Sequence, residues 1–258
     1  MPRLPVSGRE VALRPPDGTD DLLILETQGN AVSAGLALLA RVAQPADADA
    51  ADWAALTVTD FEFVLAELRV VVLGQTVLCA FDCPSVGCGE RAEVSFRMAD
   101  YVAAARPGWP RGVIAMERPE WFRFDDAAGS FRLPTAADQC AVLGRAGAAR
   151  MLAERCLDPP DMPTVVRARA ERAMAVMAPE ISRPVAGRCP ACGAGVRAGL
   201  HLPSLVMAEF RRAAAGLHED VHLLASAYHW DERAILSLPR ARRQGYAGRA
   251  RQLLAGAA

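Results

Sequence analysis

Two short cysteine motifs constrain this chain more than any other feature. The first is Cys83-Pro84-Ser85-Val86-Gly87-Cys88-Gly89 and the second is Cys189-Pro190-Ala191-Cys192-Gly193. Each sets two thiols at the ends of a tight turn, with Pro after the first Cys and Gly after the second. Such a knuckle turns backbone amides toward the sulfurs, and Gly supplies the left-handed conformation that the turn requires. The likeness extends past the turns. Phe96 follows Cys88 by eight residues, Leu200 follows Cys192 by eight, and Met98-Ala99-Asp100-Tyr101-Val102 answers Leu202-Pro203-Ser204-Leu205-Val206 at the same offset of 104. The spacing predicts an internal repeat of knuckle, strand and helix.

Two knuckles supply four thiolates, the donor set of a tetrahedral structural zinc site. The expected ligands are Cys83, Cys88, Cys189 and Cys192, holding one Zn2+ per chain. A closed site of four thiolates leaves no coordination position for a substrate, so its expected role is folding. Seven cysteines cannot all pair with one another. The N-terminal Met1-Pro2-Arg3-Leu4-Pro5 also lacks the apolar core of a secretory signal, which favours metal ligation over disulfides. Cys79, Cys140 and Cys156 read as packing thiols. The first knuckle has four residues between its cysteines where the second has two, which leaves Cys79 as an alternative ligand there.

The 258 residues carry a formal net charge of −1, and 52% are hydrophobic. That balance argues against a surface built to grip nucleic acid or an anionic membrane. The most continuous apolar run, Ala31 to Ala40, is half of the roughly 20 residues that a membrane-spanning helix needs. The expected setting is the cytoplasm. The fold class expected is α+β, predominantly helical, with two zinc-ribbon-like hairpins and a C-terminal helical segment in a single domain over 1–258. Within it, 1–75 read as an N-terminal strand or hairpin with helices and 76–105 as the first knuckle unit. An aromatic-rich excursion with a strand or two and further helices follows over 106–180, then the second knuckle unit over 184–214 and terminal helices over 215–258. Thr19 is the expected cap of a first helix near 20–28, and a second helix is expected over 31–42. Phe61, Val64, Leu65, Leu68 and Val72 make one apolar stripe of a core helix.

A second metal motif competes for attention. His218-Glu219-Asp220-Val221-His222 matches H-E-x-x-H, in which two imidazoles one turn apart bind zinc and Glu219 activates a water. His229 lies eleven residues beyond His218, about 16 Å along a continuous helix, which is too far to join the same ion. Glu232 is a conceivable third ligand. Leu217, Val221, Leu224 and Tyr228 form an apolar stripe flanked by the histidines, which reads more simply as a core helix, and no catalytic residue is assigned. The basic end, Arg240, Arg242, Arg243, Arg249 and Arg251 with Tyr246, reads as a solvated helix face. Arg183, Arg188 and Arg197 give only a thin basic surface for the rival reading, a zinc-ribbon nucleic-acid binder.

From Glu219 to Arg243 the chain reads as a helix ending near Tyr228-His229-Trp230, a short helix capped by Asp231, and a third begun by Pro239. With Arg9-Glu10-Val11-Ala12-Leu13-Arg14, Asp20-Asp21-Leu22-Leu23 and the two knuckles, the chain resembles the baseplate hub assembly chaperone family of T-even-type phages and related contractile injection systems. The resemblance implies a non-enzymatic factor that helps build, or forms part of, a baseplate hub in a bacterial or phage-infected cell. Its implied partners are hub, spike or tail proteins, with no membrane, no nucleic acid and no small-molecule substrate.

Overall fold

The structure is a computed structural model that describes residues 1–46, 52–126 and 129–255. In chain order the elements are β1 (Val11–Leu13), α1 (Gly18–Glu26), α2 (Ala31–Val42), β2 (Ala43–Pro45), α3 (Val58–Leu73), β3 (Thr76–Asp82), β4 (Arg91–Arg97) and α4 (Met98–Ala103). There follow β5 (Val113–Ala115), β6 (Trp121–Phe124), β7 (Ser130–Arg132), α5 (Ala136–Val142), α6 (Ala148–Arg155), β8 (Leu157–Asp158) and α7 (Thr164–Met177). The chain ends with β9 (Val185–Arg188), β10 (Gly195–Ala198), α8 (Leu202–Ala214), α9 (Leu217–Tyr228), α10 (Glu232–Leu236) and α11 (Arg240–Ala255). The class is mixed α/β, with about half the chain helical and with small antiparallel sheets among the described residues.

Two compact units emerge. One comprises Met1–Val11 with Pro45–Leu202, the other Ala12–Gln44 with Pro203–Ala258. The expectation of a single domain drew its unity from the zinc staple, and all four expected ligands lie in the first unit.

In the first unit α3 is the central helix. Thr57 caps it through a bond from the Asp60 amide, and Phe61, Val64, Leu65 and Leu68 are wholly buried along the expected stripe. Asp60, buried in the first turn, accepts from the Val6 and Ser7 amides at 2.8 and 2.9 Å, which ties the N-terminal loop to this helix. The 106–180 stretch holds more strand than the sequence suggested: β5 to β8 form a four-stranded sheet in sequential order. These strands are two to four residues long, too short for a period-2 pattern to stand out. Phe124, Phe131, Leu157, Met174 and Met177 form their core against α7.

The repeat is realised in the chain's own geometry. β10 and α8 begin at Gly195 and Leu202, each 104 positions after the starts of β4 and α4 at Arg91 and Met98. Each half is therefore a hairpin, β3-β4 or β9-β10, whose second strand runs almost directly into a helix.

The second unit is built on charge as much as on apolar packing. Asp17, and not Thr19 as expected, is the N-cap of α1. Its carboxylate reaches the Thr19 and Asp20 amides at 2.9 and 3.2 Å, and the Asp20 side chain answers the Asp17 amide, a reciprocal box that Thr19 stands too late in the chain to make. Asp21, fully buried, pairs with Arg243 at 2.7 Å and also with Arg240. Asp220 takes Arg251 at 2.9 Å. α1, α9 and α11 are thus bound by compensated buried charges, the arrangement a buried ion needs to escape its desolvation penalty. Gly18 makes this possible, because a Cβ there would fall 2.7 Å from the Leu236 carbonyl oxygen and the same distance from an Arg243 guanidinium nitrogen.

Candidate metal centre

The loops that close the two hairpins carry the cysteines. In β3-β4 the strands pair from Thr76 with Arg97 to Asp82 with Arg91, so Cys83 opens the loop directly after the last pair. In β9-β10 Gly195 pairs with Arg188, and Cys189 opens that loop in the same way. The first loop is longer by two residues, and the extra length is absorbed within the turn, since Cys83 N–H still reaches Glu90 O at 2.8 Å as Cys189 N–H reaches Ala194 O at 2.8 Å. Gly89 and Gly193, each following the second cysteine of its motif, have φ of 65° and 70°. That is the left-handed turn for which glycine was expected.

The hairpins bring the four sulfurs together. Cys83 Sγ lies 3.6 Å from Cys192 Sγ, Cys88 Sγ lies 3.8 Å from Cys189 Sγ, and all four fall within 4.8 Å of one another. Four sulfurs on a tetrahedral zinc at about 2.3 Å would be separated by about 3.8 Å, while a disulfide would need about 2.05 Å. The spacing is that of a metal's donor set. Each close pair joins one hairpin to the other across 109 or 101 positions of sequence. Cys189 is buried beside Ala92 and Val196, with Phe81 half-buried against them, and Cys192 is exposed.

Backbone amides face three of the sulfurs. The Ser85 amide bonds to Cys83 and favours its thiolate, but burial and the three neighbouring thiols outweigh it and push Cys83 up to about 12. The Glu90 amide acts likewise on Cys88, whose thiol is still raised by Cys192, burial and Cys189. The Ala194 amide, with help from Cys83 and Cys88, lowers Cys192 to about 7. Four thiols this close cannot all ionise alone, because each thiolate raises the cost of the next. A divalent cation removes that conflict, and zinc fits both the number and the softness of the donors.

Cys79 stands outside the group. It faces Val94 in the β3-β4 ladder and is buried. Cys156 is a buried thiol raised to about 11, chiefly by that burial, and Cys140 is half-buried on α5. Among the described residues the four cysteines are the one cluster of three or more His, Cys, Asp or Glu with metal-binding spacing, so His218, Glu219 and His222 gather no third ligand. His218, His222, His229 and Glu232 all lie outside the buried core, and α9 ends at His229 in a left-handed conformation with φ of 57°. The basic end is largely spent on its own unit: Arg240 and Arg243 pair with Asp21, Arg251 pairs with Asp220, and Arg242 lies over the Tyr246 ring.

Sequence reasoning passed over the residues that hold the second hairpin in place. Glu62, buried on α3, accepts from the Ser182 hydroxyl at 2.6 Å and the Ser182 amide at 2.9 Å. The Ser182 hydroxyl then accepts from the Leu202 amide at the start of α8. The Tyr101 hydroxyl donates to Arg183 O and accepts from Arg183 N–H, both at 2.8 Å, while the Arg183 guanidinium lies over the Tyr101 ring and donates to Tyr101 O. A Glu set between Phe61 and Phe63 near the start of an apolar helix was the available signal.

The fold and site together define a mixed α/β protein whose first unit carries a four-cysteine centre able to hold one metal ion. No family model, no curated protein and no solved structure matches this chain. Among the described residues no helix is long and apolar enough to cross a membrane.

Proposed function

We propose that this chain is a non-enzymatic assembly factor or structural component of the baseplate hub of a contractile phage tail or tail-like injection particle. In this reading Cys83, Cys88, Cys189 and Cys192 form two zinc knuckles around one structural Zn2+. The gathering of four sulfurs within 4.8 Å, from loops about a hundred residues apart, carries the zinc assignment. The role in assembly rests on the sequence resemblance carried by the C-terminal helices, the Arg9–Arg14 and Asp20–Leu23 segments and the two cysteine turns, and its partners are hub, spike or tail proteins met in the bacterial cytoplasm. The internal pairing of the basic helix favours a protein partner over nucleic acid, because ion-paired arginines are poor counterions for phosphate.

Zinc would supply charge neutralisation and a cross-link between the hairpins. The chain's own residues do the rest: Ser85, Glu90 and Ala194 present amides to the sulfurs, and Glu62 and Tyr101 anchor the segment leading into the second knuckle. Metal analysis of purified protein tests the first half, with about one zinc per chain expected, lost in Cys189→Ser/Cys192→Ser and retained in His222→Ala. Co-purification with hub and spike proteins in a reconstituted assembly tests the second. A chain that binds none of them, or zinc that leaves with His222, overturns the corresponding half.

A further inference from the structure

The four sulfurs of the metal centre are unequally placed. Cys192 is exposed, and its close partner, 3.6 Å away, is the half-buried Cys83 of the other hairpin. The second close pair, Cys88 with Cys189 at 3.8 Å, is more enclosed, because Cys189 is only 2% exposed and packs against Ala92 and Val196. A small solute therefore meets the Cys83–Cys192 pair first. Both close pairs run from one hairpin to the other, so a bond between their sulfurs would join the hairpins and not close a single turn.

A thiol that ligates zinc does so as the thiolate, which is also the form that peroxides oxidise. To become a disulfide the Cys83 and Cys192 sulfurs have to approach by only about 1.5 Å.

We infer that the centre is also a redox switch, in which a hydroperoxide joins Cys83 to Cys192 and releases the ion while the two hairpins stay linked. The inference rests on the zinc reading above and adds its regulation. In the first step the Cys192 thiolate attacks a peroxide oxygen, the O–O bond breaks, and with one proton from solvent the other oxygen leaves as water, giving a sulfenic acid. In the second the Cys83 thiolate attacks that sulfur, the S–O bond breaks, and hydroxide leaves and takes a second proton to become water. Two thiolates lose two electrons in all, and the peroxide gains them. Cys88 and Cys189 are then the only thiolates left to the ion, half of the set that a structural zinc needs. The disulfide spans the same 109 positions that the ion had bridged, so the restriction on the unfolded chain outlasts the metal.

Zinc is measured first on the purified full chain, and a chain with none overturns the metal reading and the release together. The zinc-loaded chain is then treated with hydrogen peroxide while a chromogenic chelator reads the freed metal, and the remaining thiols are blocked before digestion with trypsin. Residues 70–91, with Cys83 and Cys88, and residues 189–197, with Cys189 and Cys192, fall in separate peptides. About one zinc should be freed per disulfide formed, the two peptides should be joined, and fragmentation should place the bond between Cys83 and Cys192. Cys79→Ser removes the third thiol of the first peptide and should give the same map. In calorimetry the oxidised chain should keep most of the melting temperature that EDTA takes from the reduced one, and dithiothreitol with added zinc should restore the original metal content. A zinc-containing chain overturns the switch, and leaves the metal reading standing, if its disulfides close within single peptides, if Cys192 goes on to the sulfinic acid without joining Cys83, or if zinc stays bound once the disulfide has formed.

Discussion

A metal ion held by the four cysteines would stabilise the first unit by an amount that the topology allows one to calculate. The close sulfur pairs join positions 109 and 101 residues apart, so an ion holding both is a cross-link over a loop of about a hundred residues. For a cross-link of that size the chain-entropy relation gives about 5 kcal/mol of stabilisation at 25 °C. Zinc binding by small peptides reaches about 10–16 kcal/mol. The smaller figure counts only the restriction of the unfolded chain and is taken here as the floor. At about 2–4 °C per kcal/mol for a unit of this size, chelation should lower the melting temperature of the first unit by roughly 10–20 °C. The assay is differential scanning calorimetry with and without EDTA, on the parent chain and on Cys189→Ser/Cys192→Ser. The parent transition should shift and the variant should melt at the low temperature under both conditions. The second unit contains none of the ligands, so its transition, where resolved, should not move. A zinc-containing parent chain whose melting ignores the chelator would refute the cross-link argument, as would a variant that still responds to it.

Three further outcomes follow from buried polar groups and close contacts. Burial, which outweighs the bonds from Ser182, lifts Glu62 to about 7. A carboxyl raised on folding favours the native state while it is protonated. Its contribution is therefore complete below the unfolded value near 4.5 and lost as pH rises to about 7, a loss of about 3 kcal/mol, and Glu62→Gln should flatten that slope in denaturant titrations at about pH 4.5 to 8. Gly18→Ala gains up to about 1 kcal/mol of helix propensity but places a Cβ against backbone at 2.7 Å; urea unfolding should show a net loss of about 1–3 kcal/mol. Asp21→Asn leaves buried Arg243 with Asp220 alone, 3.8 Å from its Nε, and should cost up to about 3–5 kcal/mol in the same assay, whereas a cost below about 1 kcal/mol would mean that the Asp21 pair contributes little.

The α2 span over 31–42, the buried stripe of α3 and the strand and helix of each knuckle unit were all legible because periodicity and spacing are local properties of a chain. The offset of 104 set by the cysteine turns lands on the first residues of β10 and α8, since strand and helix lengths after a tight turn are set by the next few residues. The four-stranded sheet was only half legible, because strands of two to four residues carry less pattern than the turns around them. The division into two units had no local signal, since one unit is assembled from Ala12–Gln44 and the distant C-terminal helices.

The sequence by itself determined that four cysteines in two glycine-ended turns could serve one ion, and that H-E-x-x-H on a continuous helix could not reach a third histidine; both follow from spacing and fixed element geometry. Tertiary structure alone decided that the sulfurs meet within 4.8 Å. It also placed Cys79 outside the group, spent the basic helix on Asp21 and Asp220, and buried Glu62 to hold Ser182. Charge pairing and burial join residues from 31 to 222 positions apart, and such partners are chosen by packing, which no local pattern in the chain records.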